Sequence, residues 1–295
     1  MGRSPYTDME RPPLSETALR RALLGDGALW TALDYRMRTG STNADVASAA
    51  RDGTAEGYVV VADEQTAGRG RLDRAWYSPP RAGLAVSVLL RPGRAVPARG
   101  WSPVAISGYG AVPLLAGVAL VEAVRRIAEV DATLKWPNDL LIDGRKCAGV
   151  LAETVPERDA GGAPTEVTPA GVAPAVVVGI GLNVTLREPE LPRADATSLQ
   201  LAGATCVDRD PVLRAVLRGI AEWYVRWRDA GGDPVESGVV DTYRLHCTTI
   251  GRPVRVSLPD GTEVAGIASG VDDNGALVID GRRIAAGDVA HVRAG

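Results

Sequence analysis

The sequence predicts an α+β protein: a large region of mixed helices and strands, followed by a small all-β module. Two observations carry this. The apolar runs Tyr58 to Ala62 (YVVVA), Gly83 to Leu90 (GLAVSVLL) and Ala175 to Gly181 (AVVVGIG) read as buried strands, with helical patterns between them. From about Gly251 the pattern changes to short strands: Val254 to Leu258, Glu263 to Val271, Leu277 to Asp280 and Arg283 to Ala285. Their joints, Pro259-Asp260-Gly261, Asp272 to Gly275 and Asp280-Gly281, are Asp-Gly and Asn-Gly turns that suit a small β-barrel. A chain of 295 residues holds one large domain plus something smaller, or two middling ones.

Taken in order, residues 1 to about 14 read as disordered. Leu14 to Leu24 (LSETALRRALL) follows as a helix with Ser15 as its N-cap. Trp30 to Met37 predicts a strand. The polar cluster Gly40-Ser41-Thr42-Asn43 precedes a helix over Ala44 to Ala50. Ser41 or Thr42 either caps that helix or stands where its uncommitted donors face a polar ligand. The charge-free span Gly100 to Val121 is long enough to cross a bilayer. Its Pro103, Gly108, Gly110, Pro113 and Gly117, and the charged EAVRR that follows, favour a buried loop and helix instead, with the helix over Leu114 to Val130. Thr133 to Gly144 reads as strand, Pro break and strand, and Asp143-Gly144 turns the chain into a partner strand, Arg145 to Glu153. Val155 to Pro174 is rich in Gly, Pro and Ala and reads as a mobile loop. Asp210-Pro211 supplies an N-cap and first-turn pair for an amphipathic helix that ends near Gly231, with Trp223, Tyr224 and Trp227 in the core.

Composition excludes several classes. A net charge of -3 gives no general basic surface for nucleic acid. Cys147, Cys206 and Cys247 are widely spaced and odd in number, which reads as free thiols in a reducing compartment. The start, with YTDMERPP, lacks an apolar signal core, so a cytoplasmic location is expected. The only two histidines, His246 and His291, lie far apart, which excludes a HExxH zinc site and makes a Ser-His triad improbable.

The stretch Glu64 to Pro80 (EQTAGRGRLDRAWYSPP) stands out between two strands. Gly68 and Gly70 alternate with Arg69 and Arg71, and Arg74, Trp76 and Tyr77 follow. Glycines let the backbone approach a ligand, and guanidinium forks suit phosphate and carboxylate. On these residues alone, an anion-binding loop and a solvated hairpin turn both stay open. The Gly-x-Gly is no dinucleotide fingerprint, because Asp73 fills the third glycine's place and no helix pattern follows. Ser41-Thr42-Asn43, Gln65, the Lys135 to Asp139 run (KWPND), Lys146 and Gly181-Leu182-Asn183 all fall at strand ends or beside strands.

Taken together, GRGRLDRAW (68–76), KWPNDLLIDGRKCAGVLAE (135–153), STN (41–43) and VVVGIGLNV (176–184) resemble the biotin–protein ligases in order, spacing and strand context. The likeness runs from about residue 30 to the C-terminus, and the KWPND…GRKCAGVL run is the most specific part. The resemblance implies a mixed-sheet catalytic domain of the biotin/lipoate ligase type over residues 30–248. A C-terminal SH3-like β domain over 249–295 and an N-terminal segment over 1–29 complete the expected division. It implies ATP, Mg2+ and biotin, activation to biotinyl-5′-AMP, and transfer to a lysine of a biotin carboxyl carrier domain of acetyl-CoA or related acyl-CoA carboxylases. Carried over residue by residue, Ser41, Thr42 and Gln65 belong at the biotin head group, with Asn43, Gly68, Arg69, Gly70, Arg71, Trp76, Lys146 and Gly149 completing the biotin site. Arg74, Trp76, Asn138, Asp139, Lys146 and Asn183 belong on the nucleotide side. Lys146, Arg69 and Arg71 supply the catalytic positive charge, and Asp139 is the candidate metal ligand.

Leu72-Asp73 depart from the further glycine and basic residues common in that loop. The segment before the core carries one helix candidate and no basic recognition helix, so ligase activity without DNA or membrane binding is expected. Three alternatives remain at this point: a lipoate or octanoate ligase of the same fold, a biotin-sensing DNA-binding regulator, and a binding module without turnover.

Overall fold

The computed structural model describes residues 11–156 and 173–292. The expected disorder of the first ten residues and most of the expected Val155–Pro174 loop lie outside the described residues. Residues 11–14 depart from expectation. Arg11 donates to Glu190 Oε2 at 2.6 Å and to the Thr185 carbonyl at 2.7 Å, and Leu14 is buried. Local composition cannot show an ion pair whose partner lies far downstream.

Helix α1 (Glu16–Leu23) starts as expected, with the Ser15 hydroxyl accepting from Ala18 N–H. Strand β1 (Ala32–Arg36) is shorter than expected, because Trp30 turns inward and donates its indole N–H to the Leu217 carbonyl. Helix α2 (Thr42–Arg51) follows, then β2 (Tyr58–Ala62) and β3 (Gly83–Leu90). Helix α3 (Ala111–Ala128) begins before Leu114, because proline is tolerated in a first turn where no N–H partner is needed. The apolar helical span Ile106–Ala128 is long enough to cross a membrane by composition, yet 67% of its apolar window is buried in the protein. Strands β4 (Ala132–Lys135), β5 (Asp139–Ile142), β6 (Arg145–Val155) and β7 (Ala175–Asn183) complete a seven-stranded mixed sheet ordered β1-β2-β3-β7-β6-β5-β4. The β1–β2 pair is parallel and the other neighbours are antiparallel.

Helix α4 (Arg209–Asp229) is capped two residues earlier than expected. Asp208 is the N-cap, its carboxylate accepting from Asp210 N–H, and Asp210 lies in the first turn. Two acids in one short stretch both suit a helix start, and the sequence does not rank them. The main core lies between one sheet face and α1, α3, α4 and α5 (Val239–His246), with Tyr224, Trp227 and Tyr243 fully buried. On the opposite face α2 covers a smaller cluster of Val46, Ala50, Val60, Leu89, Val155, Ala175 and Val177.

The C-terminal module is an antiparallel sheet of β8 (Pro253–Ser257), β9 (Glu263–Val271), β10 (Leu277–Ile279), β11 (Arg282–Ile284) and β12 (Asp288–His291), in the order β11-β10-β9-β8-β12. The sequence pattern missed β12, whose four residues DVAH carry little alternation. The KWPND turn ties this module to the larger sheet. Trp136 donates its indole N–H to the Gly275 carbonyl at 2.8 Å and its backbone N–H to Thr249 Oγ1 at 3.0 Å. Arg244 binds the Val271 carbonyl and Asp273 from the end of α5.

His291 Nε2 lies 3.1 Å from the same Thr249 hydroxyl. Burial, reinforced by Lys135 and Arg252, depresses its pKa from 6.5 to about 4. The unfolded chain therefore binds a proton that the folded one refuses across that window. Stability is expected to fall as pH drops from 6.5 toward about 4. Thermal unfolding across that range checks this, and His291→Gln should flatten the slope.

Candidate functional site

The site lies on the α2 face of the large sheet. On β7, Gly179, Gly181 and Asn183 share that face by strand alternation. Their cross-strand partners are Ser87, Ala85 and Gly83 on β3. On β6, Leu151 and Gly149 stand opposite Gly179 and Gly181. The floor is thus nearly free of large side chains.

At one end the first turn of α2 meets the sheet. Ser41 is the N-cap residue, buried, and its side chain makes no capping bond, so neither Ser41 nor Thr42 acts as the simple side-chain cap allowed above. The Thr42 backbone N–H donates to Gln65 Oε1 at 2.8 Å, and its hydroxyl lies 3.0 Å from the same atom. Gln65 is fixed because the β1–β2 pairing continues past both strands, with Thr66 N–H to the Thr39 carbonyl and Ala67 N–H to the Gly40 carbonyl. The Ser87 hydroxyl reaches Thr42 Oγ1 at 2.7 Å and Asn43 Oδ1 at 2.6 Å. Asn43 Nδ2 donates to Glu153 Oε2 at 2.7 Å, which sets the amide's orientation. One Ser87 proton faces two acceptors, so the cluster holds more acceptors than donors. Ser87 was missed in the sequence, although a lone hydroxyl inside GLAVSVLL is the signal that finds it.

The loop that follows is a tight hairpin. Trp76 N–H bonds the Gly68 carbonyl, and Gly70 N–H bonds the Arg74 carbonyl. A Cβ on Gly68 would sit 2.4 Å from the Trp76 carbonyl oxygen, so only glycine permits this closure. Leu72 takes the left-handed conformation at φ 53. The Trp76 ring lies on the glycine floor, where a Cβ on Gly181 would come within 2.3 Å of it and one on Gly149 within 3.6 Å. A cleft runs beside the ring, lined by Asp63, Gln65, Ser78, Gly83, Leu84 and Ala85. Asp63 holds the loop's entry. It accepts from Arg209 at 2.7 Å and from the Tyr35 hydroxyl at 2.5 Å, and pairs with Arg81. Burial first, then Asp63, pushes the Tyr35 pKa up. No local motif marks this anchor, because its residues come from distant segments.

At the other end Lys146 Nζ stands 2.5 Å from Asp139 Oδ1 and 5.8 Å from the centre of the Trp76 ring. Arg69 lies instead toward the first end, 3.8 Å from the same Glu153 that accepts from Asn43. Arg71 and Arg74 turn toward the C-terminal module: Arg71 donates to the Gly287 carbonyl at 3.3 Å and Arg74 to Asp288 at 2.5 Å. Desolvation lowers the Arg71 pKa. Asn183 donates to the Thr197 carbonyl, while its buried Oδ1 has no partner among the described residues. Asn138 is engaged elsewhere, since its amide donates to the Val150 carbonyl at 2.6 Å and pins the turn to β6. The structure therefore brings Thr42, Asn43, Gln65, Trp76, Gly149 and Lys146 around one floor. Asn138 serves the backbone, and Arg71 and Arg74 contact the module.

This fold and these motifs define a class, the ligases that attach biotin or lipoate to proteins. Models of the biotin/lipoate A/B protein ligase family match residues 36–163 and 104–240, and a model of the biotin protein ligase C-terminal domain matches 249–292. The chain is 40% identical to the biotin–[acetyl-CoA-carboxylase] ligase of Mycobacterium tuberculosis, covering 97% of this chain and 98% of that one. It is 31% identical to the bifunctional ligase/repressor BirA of Bacillus subtilis, over 94% of this chain and 78% of the relative. The biotin protein ligase of Aquifex aeolicus, solved with biotin and ATP, superposes with a TM-score of 0.66 at 26% identity, covering 90% of this chain and all of that one. The chain belongs to the biotin–protein ligase family.

Proposed function

We propose that this protein is the ligase that activates biotin with ATP and passes it to a lysine of the biotin carboxyl carrier domain of acetyl-CoA carboxylase. The observation that carries the reading is the graded chemistry along one sheet face. An acceptor-rich neutral cluster (Thr42, Asn43, Gln65, Ser87) gives way to a glycine floor under Trp76, then to Lys146. Biotin has the same order: a ureido ring with two N–H donors, an apolar body and a carboxylate. Surplus acceptors suit the two N–H groups, and a fixed cation suits the carboxylate.

In the first step a biotin carboxylate oxygen attacks the α-phosphorus of ATP. A carbon–oxygen–phosphorus anhydride forms, the bond to the β-phosphate breaks, and pyrophosphate leaves. Two anions must meet, so the work falls on positive charge fixed beforehand, here Lys146, which Arg69 and Arg71 join when the hairpin turns them from Glu153 and Gly287. In the second step the neutral ε-amine of the acceptor lysine attacks the acyl carbon. The amide forms, AMP leaves and one proton is released. Trp76 and the Gly-Arg hairpin shield the anhydride from water between the steps. The unpartnered Asn183 Oδ1 suits an amino-group donor such as that of adenine.

Magnesium would arrive on the ATP phosphates and neutralise their charge, and Asp139, now paired with Lys146, is the carboxylate that would hold it. The described residues contain no group of three or more ligands that would cage a metal by themselves. Residues 30–248 would be the catalytic unit and 249–295 the module that closes on it, and the reducing cytoplasm suits the free Cys147, Cys206 and Cys247.

Transfer of labelled biotin to a carrier domain, with ATP and magnesium, tests the reading directly. Pyrophosphate exchange driven by lipoate or octanoate instead of biotin would overturn it. Sequence-specific operator binding by the purified chain would add the regulator role that the acidic balance argues against.

A further inference from the structure

The C-terminal module does more than cap the fold. Its β12 edge presents two acceptors to the Gly-Arg hairpin: the Gly287 carbonyl to Arg71 at 3.3 Å and the Asp288 carboxylate to Arg74 at 2.5 Å. Gly287 is held tightly against β8, where an added Cβ would come 2.5 Å from Val256 Cγ1 and 3.1 Å from the Ser257 carbonyl. Its carbonyl is therefore a fixed point. The module is itself anchored to the KWPND turn through Trp136 and to α5 through Arg244. Asp139 as well as Asp288 acts electrostatically on both hairpin guanidinia.

We propose that Asp288 is a positioning residue that latches the Gly-Arg hairpin to the C-terminal module, slowing escape of the activated intermediate before an acceptor arrives. Asp288 touches no reacting atom. It fixes one arginine of the hairpin so that the hairpin as a whole need not find its position on the floor afresh in each cycle, an entropy cost met in advance. Because the pair is partly exposed, with 54% of the Arg74 side chain and 41% of the Asp288 side chain accessible, the expected effect is modest and kinetic.

The inference rests on reading the hairpin as the lid over biotinyl-adenylate. The test compares full-length wild type, Asp288→Asn, Asp288→Ser and Asp288→Glu. Enzyme loaded with biotin and ATP is freed of excess substrate, and two rates are followed: adenylate formation by pyrophosphate release, and adenylate escape by labelling of lysines on a bystander protein. Asp288→Asn and Asp288→Ser should raise escape about two- to fivefold while formation stays within about twofold, and Asp288→Glu should restore retention. A purely structural role would lower the melting temperature and both rates together. Escape equal to or slower than wild type in the Asn and Ser variants, with normal formation, overturns the latch alone. A wild-type chain that forms no adenylate overturns the lid reading, and the latch with it.

Discussion

Replacing Lys146 with alanine is expected to lower the rate of adenylate formation by about 100- to 1000-fold, the usual cost of removing one fixed charge-stabilising donor. Biotin affinity should change far less, because in the proposed reading the head group lies at the other end of the floor, where Thr42, Asn43, Gln65 and Ser87 bond one another. Lys146 stands 2.5 Å from Asp139, and the Asp139 side chain is only 17% exposed. Truncating the lysine therefore leaves a half-buried carboxylate facing incoming phosphates, and repulsion adds to the lost attraction. Adding Asp139→Asn to Lys146→Ala removes that repulsion. The double variant should recover part of the ATP affinity and little of the adenylation rate. Single-turnover pyrophosphate release and direct biotin titration separate the two quantities. Unchanged adenylate formation in Lys146→Ala would remove the residue from the proposed role.

The sequence made the site's composition legible more readily than its geometry. β2, β3 and β7 were read because buried strands in this chain are continuous apolar runs that local periodicity detects. The KWPND…GRKCAGVL run pointed to Lys146 because its residues are contiguous. The misses share a different cause. Asp63, Arg209 and Tyr35 form one buried anchor from three distant segments, and nothing local marks them as partners. Ser87 needed its cross-strand neighbour Gly179 to acquire meaning. Arg74 was placed on the nucleotide side by motif alone, whereas its nearest acceptor, Asp288, lies on a strand too short for the pattern to show. The expected cap of helix α4, Asp210, is one acid too late, because propensity does not choose between Asp208 and Asp210 and only the bond from Asp210 N–H to Asp208 decides it.

Gly179→Ala should abolish tight biotin binding, and the reason lies in what cannot move. An added Cβ would stand 2.0 Å from Asn43 Oδ1 and 2.8 Å from its Cγ. β7 cannot retreat, since it is hydrogen-bonded to β3 on one side and β6 on the other along its length. Asn43 must swing away instead, breaking its bonds to Ser87 at 2.6 Å and to Glu153 at 2.7 Å. Losing a bond to a charged group costs about 1.5–3 kcal/mol, and the orphaned hydroxyl adds a further penalty of about 1–3 kcal/mol. Those costs fall on stability, in the free and bound variant alike; biotin affinity falls because the displaced Asn43 carboxamide leaves a ureido N–H unpaired, about 1–3 kcal/mol, or roughly 10- to 100-fold. Gly181→Ala makes a close comparison, because its Cβ would meet the Trp76 ring at 2.3 Å. That ring belongs to a hairpin on the sheet and not to the sheet itself, so it can shift outward. Gly181→Ala should keep most head-group affinity and lose retention of the adenylate. Calorimetric titration of biotin into both variants, with thermal unfolding as a control, distinguishes the two sites. Wild-type affinity in folded Gly179→Ala would show that the ureido ring does not bind at the Asn43–Ser87 end of the floor.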